Sequence, residues 1–100
     1  MRCPIPEDMR EELEIDPFMG RCIIDDAICE GNLEWNHAFT YAGKRINELW
    51  GILPMCHLHH TQEAKWRPFI EQVMRKRIKH FGAEEEFAVK YPKSTLLCSR

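Results

Sequence analysis

Three of the five cysteines (Cys22, Cys29, Cys56) and four of the five histidines (His37, His57, His59, His60) lie between positions 22 and 60 of a 100-residue chain. Zinc takes four nitrogen or sulfur ligands in a tetrahedron, usually delivered as two close pairs. Two such pairs are present, Cys22 with Cys29 and Cys56 with His59. The Cys56-x2-His59 spacing is the one that a helix start delivers. Cys22-x6-Cys29 is wider than the common C-x2-C, which leaves Asp25 as a substitute ligand. Buried free thiols are the competing reading, because free cysteine is among the most buried residue types. Two pairs flanking a strand–loop–strand of suitable length favour zinc. Cys3 and Cys98 stand near the two ends and read as ordinary thiols. His37, between the pairs, is placed where a metal-stapled frame would hold a reactive imidazole; the bland alternative is a packed histidine.

The elements that must position these residues are short. Pro6 followed by Glu7 and Asp8 is a plausible helix start, although only Met9 and Leu13 share a stripe, so residues 1–18 read as a short helix or a loose arm. Residues 19–30 lack helical periodicity and read as a knuckle, with Gly31-Asn32 as a turn. Alternation over 33–39 predicts a strand with Leu33, Trp35, His37 and Phe39 on one face and Glu34, Asn36 and Ala38 on the other. Residues 40–48 read as an irregular basic loop, and 49–53 as a short strand closed by Pro54. After it Cys56, His59 and His60 stand at i, i+3 and i+4, predicting a helix that runs to Lys65 and clusters these side chains on one turn. Pro68 opens a second helix, amphipathic through Phe69, Ile70, Val73, Met74, Ile78 and Phe81 and stopped by Gly82. Residues 84–90 add a turn or two, and 91–100 read as a tail. The three tryptophans are expected in the core. The division is an arm over 1–18, a zinc-bound domain over 19–82 and a C-terminal extension over 83–100.

Composition narrows the partners. The chain is 44% hydrophobic and 30% charged with a formal net charge of -2, which excludes wholesale disorder and leaves nucleic-acid binding to a local basic face. Lys44, Arg45, Lys65, Arg67, Arg75 and Lys76 are the candidate phosphate contacts, with Arg77 and Lys79 on the same helix; a charge run there is otherwise a solvated face. The start of the chain is acid-rich and has no apolar core, so it does not read as a secretory signal, and no run approaches a membrane span. A cytoplasmic setting is therefore expected, with cysteines as metal ligands or free thiols.

LEWNHAF followed by LPMCHLHH resembles the HNH (His-Asn-His) endonucleases of the ββα-metal group, and most of all small phage-type members with zinc knuckles. The resemblance covers positions 22–60. It implies an α+β fold, a zinc-stapled ββα-metal (treble-clef-like) core with a C-terminal amphipathic helix, and hydrolysis of DNA phosphodiester bonds in a phage- or prophage-encoded protein. By position, His37 matches the general base, a role that suits an imidazole titrating near neutral pH. Asn36 and His60 match ligands of a catalytic Mg²⁺ or Mn²⁺ ion, and His59 completes the structural Zn²⁺ site with Cys22, Cys29 and Cys56. Which of His59 and His60 faces which metal turns on about 100° of helix rotation and stays open here. The family's middle asparagine is replaced by Gly51, with Asn47 the nearest candidate, and His57 has no matching role and is expected to be exposed. The alternative is a catalytically weak or inactive zinc-bound module that binds nucleic acid or protein. The oligomeric state is not readable from the sequence.

Overall fold

The computed structural model describes residues 5–24 and 28–97. Asp25, Cys3 and Cys98 lie outside these residues. In chain order the elements are α1 (Glu7–Glu14), a 3-10 turn (Pro17–Gly20), β1 (Leu33–His37), β2 (Thr40–Tyr41), β3 (Lys44–Arg45), a second 3-10 turn (Leu49–Gly51), β4 (Ile52–Cys56), α2 (His57–Thr61), α3 (Arg67–His80) and α4 (Glu84–Lys90). The class is α+β, as expected. No helix of the described residues is long and apolar enough to cross a membrane.

Strand β1 pairs antiparallel with β4 in a register that sets Leu33 opposite Cys56 and His37 opposite Ile52. Two elements differ from the sequence reading here. Strand β1 stops at His37, two residues short of the alternation. Strand β4 begins three residues later than expected and carries Pro54 in its middle. The proline is tolerated because both strands of a two-stranded sheet are edges. Its carbonyl accepts from Ile23 N–H at 3.0 Å, so that side of the residue, where an amide hydrogen would lie, faces away from β1. The expected basic loop contains a small hairpin, β2 with β3. Its two-residue turn, Ala42-Gly43, has both φ values positive (54° and 78°), which matches the right-handed twist of the flanking strands.

The main core lies on the face of the sheet that carries Leu53 and Met55. Both are fully buried, against Ile70, Met74 and Ile78 of α3. Helix α3 starts one residue before Pro68 and ends one residue before Phe81, and α4 spans the expected 84–90. Residues 91–97 are not a loose tail: Tyr91 and Leu96 are buried. Tyr91 stacks edge-on with Phe39, Tyr41 and Phe87 and donates its hydroxyl to Glu48. Helix α2 is a single turn that ends at Thr61 rather than at Lys65. Of the three tryptophans only Trp50 is buried, whereas Trp35 and Trp66 are half-buried.

Residues 7–14 form the short helix, so the described part of the N-terminal segment is not a loose arm. Leu13 and Met19 pack with Ile52 in a second cluster on the opposite face of the sheet. Its tie to the main body corrects one basic candidate: Arg77 is buried and cannot face a nucleic acid. Its Nη2 donates to Asp16 Oδ2 at 2.6 Å, and its guanidinium lies between the rings of Phe18 and Phe81 at 3.9 and 4.8 Å. Burial by itself pushes the Asp16 carboxyl up. The Arg77 hydrogen bond, the Phe18 N–H and the charges of Arg77 and His80 outweigh that and hold it below its ordinary 3.8. A carboxylate whose folded value is depressed contributes stability that is complete above its unfolded value and lost as pH falls through the folded one. Asp16→Asn keeps the cap and removes the charge, leaving a buried guanidinium with a weaker partner. Because Asp16 itself is about a quarter exposed (23%), the expected loss is about 2 kcal/mol, below the full cost of breaking a buried pair. Urea denaturation at pH 7 and pH 3 checks this: the gap between parent and variant narrows in acid.

Candidate metal centre and the histidines around it

The first half of the centre lies in residues 20–32, which form no helix or strand among those described after Gly20. Three backbone hydrogen bonds lace this segment to β4 and to α2: Ile23 N–H to Pro54 O, His57 N–H to Asn32 O, and Leu58 N–H to Glu30 O, at 3.0–3.1 Å. The second half comes from the junction of β4 and α2. Cys56 is the N-cap residue, and its sulfur accepts from His59 N–H at 3.4 Å.

Cys22, Cys29, Cys56 and His59 are thereby brought together, their ligand atoms all within 4.8 Å of one another. The sulfurs of Cys56, Cys29 and Cys22 stand 3.1, 3.5 and 3.6 Å from a single atom, His59 Nδ1. One imidazole nitrogen has one lone pair or one hydrogen. Three sulfurs converging on it make a coordination pattern rather than a set of hydrogen bonds. With Zn–S near 2.3 Å and Zn–N near 2.05 Å, the S···N edge of a tetrahedron is about 3.6 Å. Two of the three edges agree with that and the third is somewhat short. Cys22, Cys56 and His59 are buried and Cys29 is half-buried. Burial pushes the Cys56 thiol up, but the backbone N–H groups of His59 and Glu30 and the side chains of Cys29 and His59 outweigh it. They bring the thiol from 9.0 down to about 7, toward the thiolate that binds metal. The donor set and its edges fit zinc.

Gly31 shapes this corner. Its φ is +84°, and a Cβ built on it falls 2.6 Å from His57 Cβ. Gly31→Ala therefore meets both a disfavoured backbone conformation and a clash at the start of α2. The expected cost is about 2 kcal/mol, or roughly 8–16 °C in Tm for a domain of this size. A melting curve checks it, and an unchanged Tm would mean that this corner is not tightly packed.

The other singled-out residues are not gathered into one site. Asn36 is buried at 3% exposure, with Nδ2 on Met55 Sδ at 3.2 Å; its amide is committed to the core. His37 is half-buried, and its Nε2 lies 2.9 Å from Asn47 Oδ1. His60 and His57 are both engaged by Glu34, His60 Nδ1 at 2.7 Å from Oε1 and His57 Nδ1 at 2.9 Å from Oε2. Hydrogen bonds from His60 first and His57 second hold the Glu34 carboxyl below its ordinary range. His57 is exposed, as expected. Glu34 was not a sequence candidate. The i, i+3 spacing of His57 and His60 is visible in the sequence, but it is the pairing of β1 with β4 that brings Glu34 to them.

The basic candidates divide. Lys44 and Arg45 lie exposed in the small hairpin, as does Lys76 on α3. Lys65 is exposed and lies over the Trp66 ring at 5.6 Å. Arg67 is tied down by Glu63, Glu71 and the Ala38 carbonyl, at 3.0, 3.4 and 2.7 Å. Arg75 donates to Leu96 O at 3.1 Å. Arg67 is thus a clamp between α3 and the end of β1 before it is anything else.

No family model, no curated protein and no solved structure matches the chain.

Proposed function

We propose that the chain is a metal-dependent endonuclease of the HNH type that hydrolyses DNA phosphodiester bonds within a zinc-stapled ββα-metal core. The observation that carries the reading is the pair His37–Asn47, which joins the residue matching the general base to the nearest candidate for the middle asparagine. Support also comes from the element order β1, β4, α2, with His37 at the end of the first strand and His60 on the helix. An amide oxygen facing His37 Nε2 favours the ring form that carries its hydrogen there, leaving the Nδ1 lone pair to take a proton from water. The Cys3His frame holds strand ends and helix in register and takes no part in the chemistry. Mg²⁺ or Mn²⁺, when bound, supplies positive charge to the scissile phosphate and the leaving oxygen. His60 is the residue that would hold it. Asn36, committed to Met55, does not fit that role in this conformation.

Lys44, Arg45, Lys65 and Lys76 are exposed and are the side chains this reading assigns to backbone phosphates, where contacts weaken with salt and carry little sequence information. The test is conversion of supercoiled plasmid by zinc-loaded chain with Mg²⁺ or Mn²⁺. Plasmid left intact in both metals sinks the enzyme reading. The burial of the uncharged Asn36 favours a second reading, a zinc-bound module that binds nucleic acid without cutting it. A gel shift without cleavage selects that one.

A further inference from the structure

A groove of about 550 Å³ opens between the β2–β3 hairpin, α3 and residues 93–96, a size usual for sites that hold a small molecule. Phe39, Met74 and Leu96, all buried, give it an apolar bed. The half-buried Tyr41 stands on the hairpin side, and its hydroxyl accepts from Lys93 N–H at 3.1 Å, which fastens the two walls together. On the α3 side lie Arg67 and Glu71, 3.4 Å apart. Arg67 gives one hydrogen each from Nη1, Nε and Nη2 to Glu63, Glu71 and Ala38 O. Each Nη has a second hydrogen beyond those three bonds. Ala38 directly follows His37, so Arg67 ties the groove to the end of β1.

These groups discriminate between ligand classes. A free anion gains little from Arg67, whose charge is already met by Glu63 and Glu71. A hydrocarbon would cover a guanidinium and a carboxylate without bonding to them, which costs free energy. A nucleobase suits every part: its flat faces suit the apolar bed and the Tyr41 ring, its carbonyls and ring nitrogens accept from Arg67, and its amino hydrogens suit Glu71. The phosphate attached to it needs a cation at the rim. Lys93 lines the groove and is exposed, and the exposed Lys44 lies opposite Tyr41 across the hairpin, on the same face. A base stacked and paired inside a duplex has none of these surfaces free.

We propose that this groove takes one unpaired nucleotide of the DNA strand, beside the phosphate that His37 serves. The substrate class is then single-stranded or locally unpaired DNA rather than intact duplex. The proposal deepens the nuclease reading and rests on it for the cut; binding is separate.

The test is fluorescence anisotropy of a short labelled DNA strand, alone or as a duplex, titrated with the zinc-loaded full chain without Mg²⁺ or Mn²⁺. The single strand is expected to bind more tightly than the duplex. Thr95→Trp, which fills the groove from its exposed edge, should weaken strand binding roughly fivefold or more, the lower end for one stacked base. Lys93→Gln should reduce the slope of log affinity against log salt by about 0.7, the share of one phosphate on a single strand. Melting temperature should not change in either variant. Deoxyadenosine monophosphate alone should shift the amide resonances of Tyr41, Glu71 and Thr95. Equal affinity for strand and duplex, a Thr95→Trp chain that binds the strand as the parent does, or an unchanged salt slope in Lys93→Gln would overturn the proposal. Strand binding that Thr95→Trp weakens, in a chain that cuts no plasmid, keeps the groove and removes the nuclease reading. Plasmid cleavage by a chain whose strand binding ignores Thr95→Trp does the reverse.

Discussion

A strong zinc chelator is expected to unfold the chain, and Cys56→Ser to prevent it from folding. The sheet that carries the centre has two strands, too few for independent stability in water. The described residues of the segment that supplies Cys22 and Cys29 form no helix or strand after Gly20, and what fastens them includes three backbone hydrogen bonds, the packing of Ile23 and Ile24 on the core, and the sulfurs. Structural zinc contributes on the order of 10 kcal/mol of folding free energy, and a whole domain is stable by about 5–15 kcal/mol. Loss of the metal therefore removes most or all of the net stability. Cys56→Ser has the further effect of leaving two buried or half-buried thiols and a buried imidazole without their fourth partner. His60→Ala, which touches Glu34 on the surface and none of the four ligands, should keep the fold. Elemental analysis should find one zinc per chain, and far-UV circular dichroism should collapse on chelation. A purified chain that contains no zinc, or that keeps its spectrum without it, would show that the four side chains are no more than a packed cluster.

His37→Ala is expected to lower the rate of plasmid cleavage by about 10²–10⁴, the range for removing a positioned general base. The fold should survive, because the ring is half-buried and its partner Asn47 is also half-buried, so the deletion opens no enclosed cavity. Asn47→Ala should give a smaller loss, since the imidazole stays in place and only its orientation is released. Single-turnover nicking with matched melting curves separates these effects. Equal rates for parent and His37→Ala would remove His37 from the chemistry, whatever the metal content.

The ligand set was legible in the sequence because zinc ligands come in close pairs, and the Cys56-x2-His59 pair sits where a helix begins. The wider Cys22-x6-Cys29 pair is brought together because its segment is tied to β4 on one side, through Ile23, and to α2 on the other, through Glu30 and Asn32, a tertiary arrangement that spacing does not contain. Helices α3 and α4 were also legible, from apolar periodicity and from Pro68 and Gly82. The second strand was misplaced because Pro54 was read as a terminator. Whether a proline ends a strand depends on which side of the strand is unpaired, and only pairing decides that. Asn36 and Arg77 share one lesson. Residue type placed them at a ligand position and on a basic face, yet both are buried against partners far away in sequence, Met55 and Asp16. Glu34 went unnoticed because an acid in a strand has no meaning until the two imidazoles it faces are known.

The order of synthesis gives the Cys3His centre one more consequence. Its last ligand, His59, leaves the ribosome's active site 28 residues ahead of Phe87, and so roughly 1–6 s ahead at the usual rates of translation. Strands β1 and β4 and the first turn of α2 are already made by then. A nascent chain that binds zinc there would fix the β1–β4 register while the apolar face of that sheet still awaits α3 and the aromatic side chains of Phe87 and Tyr91. An early knot of sulfur and nitrogen gives the later helices a template with a single register, and it leaves Leu53 and Met55 uncovered until they arrive.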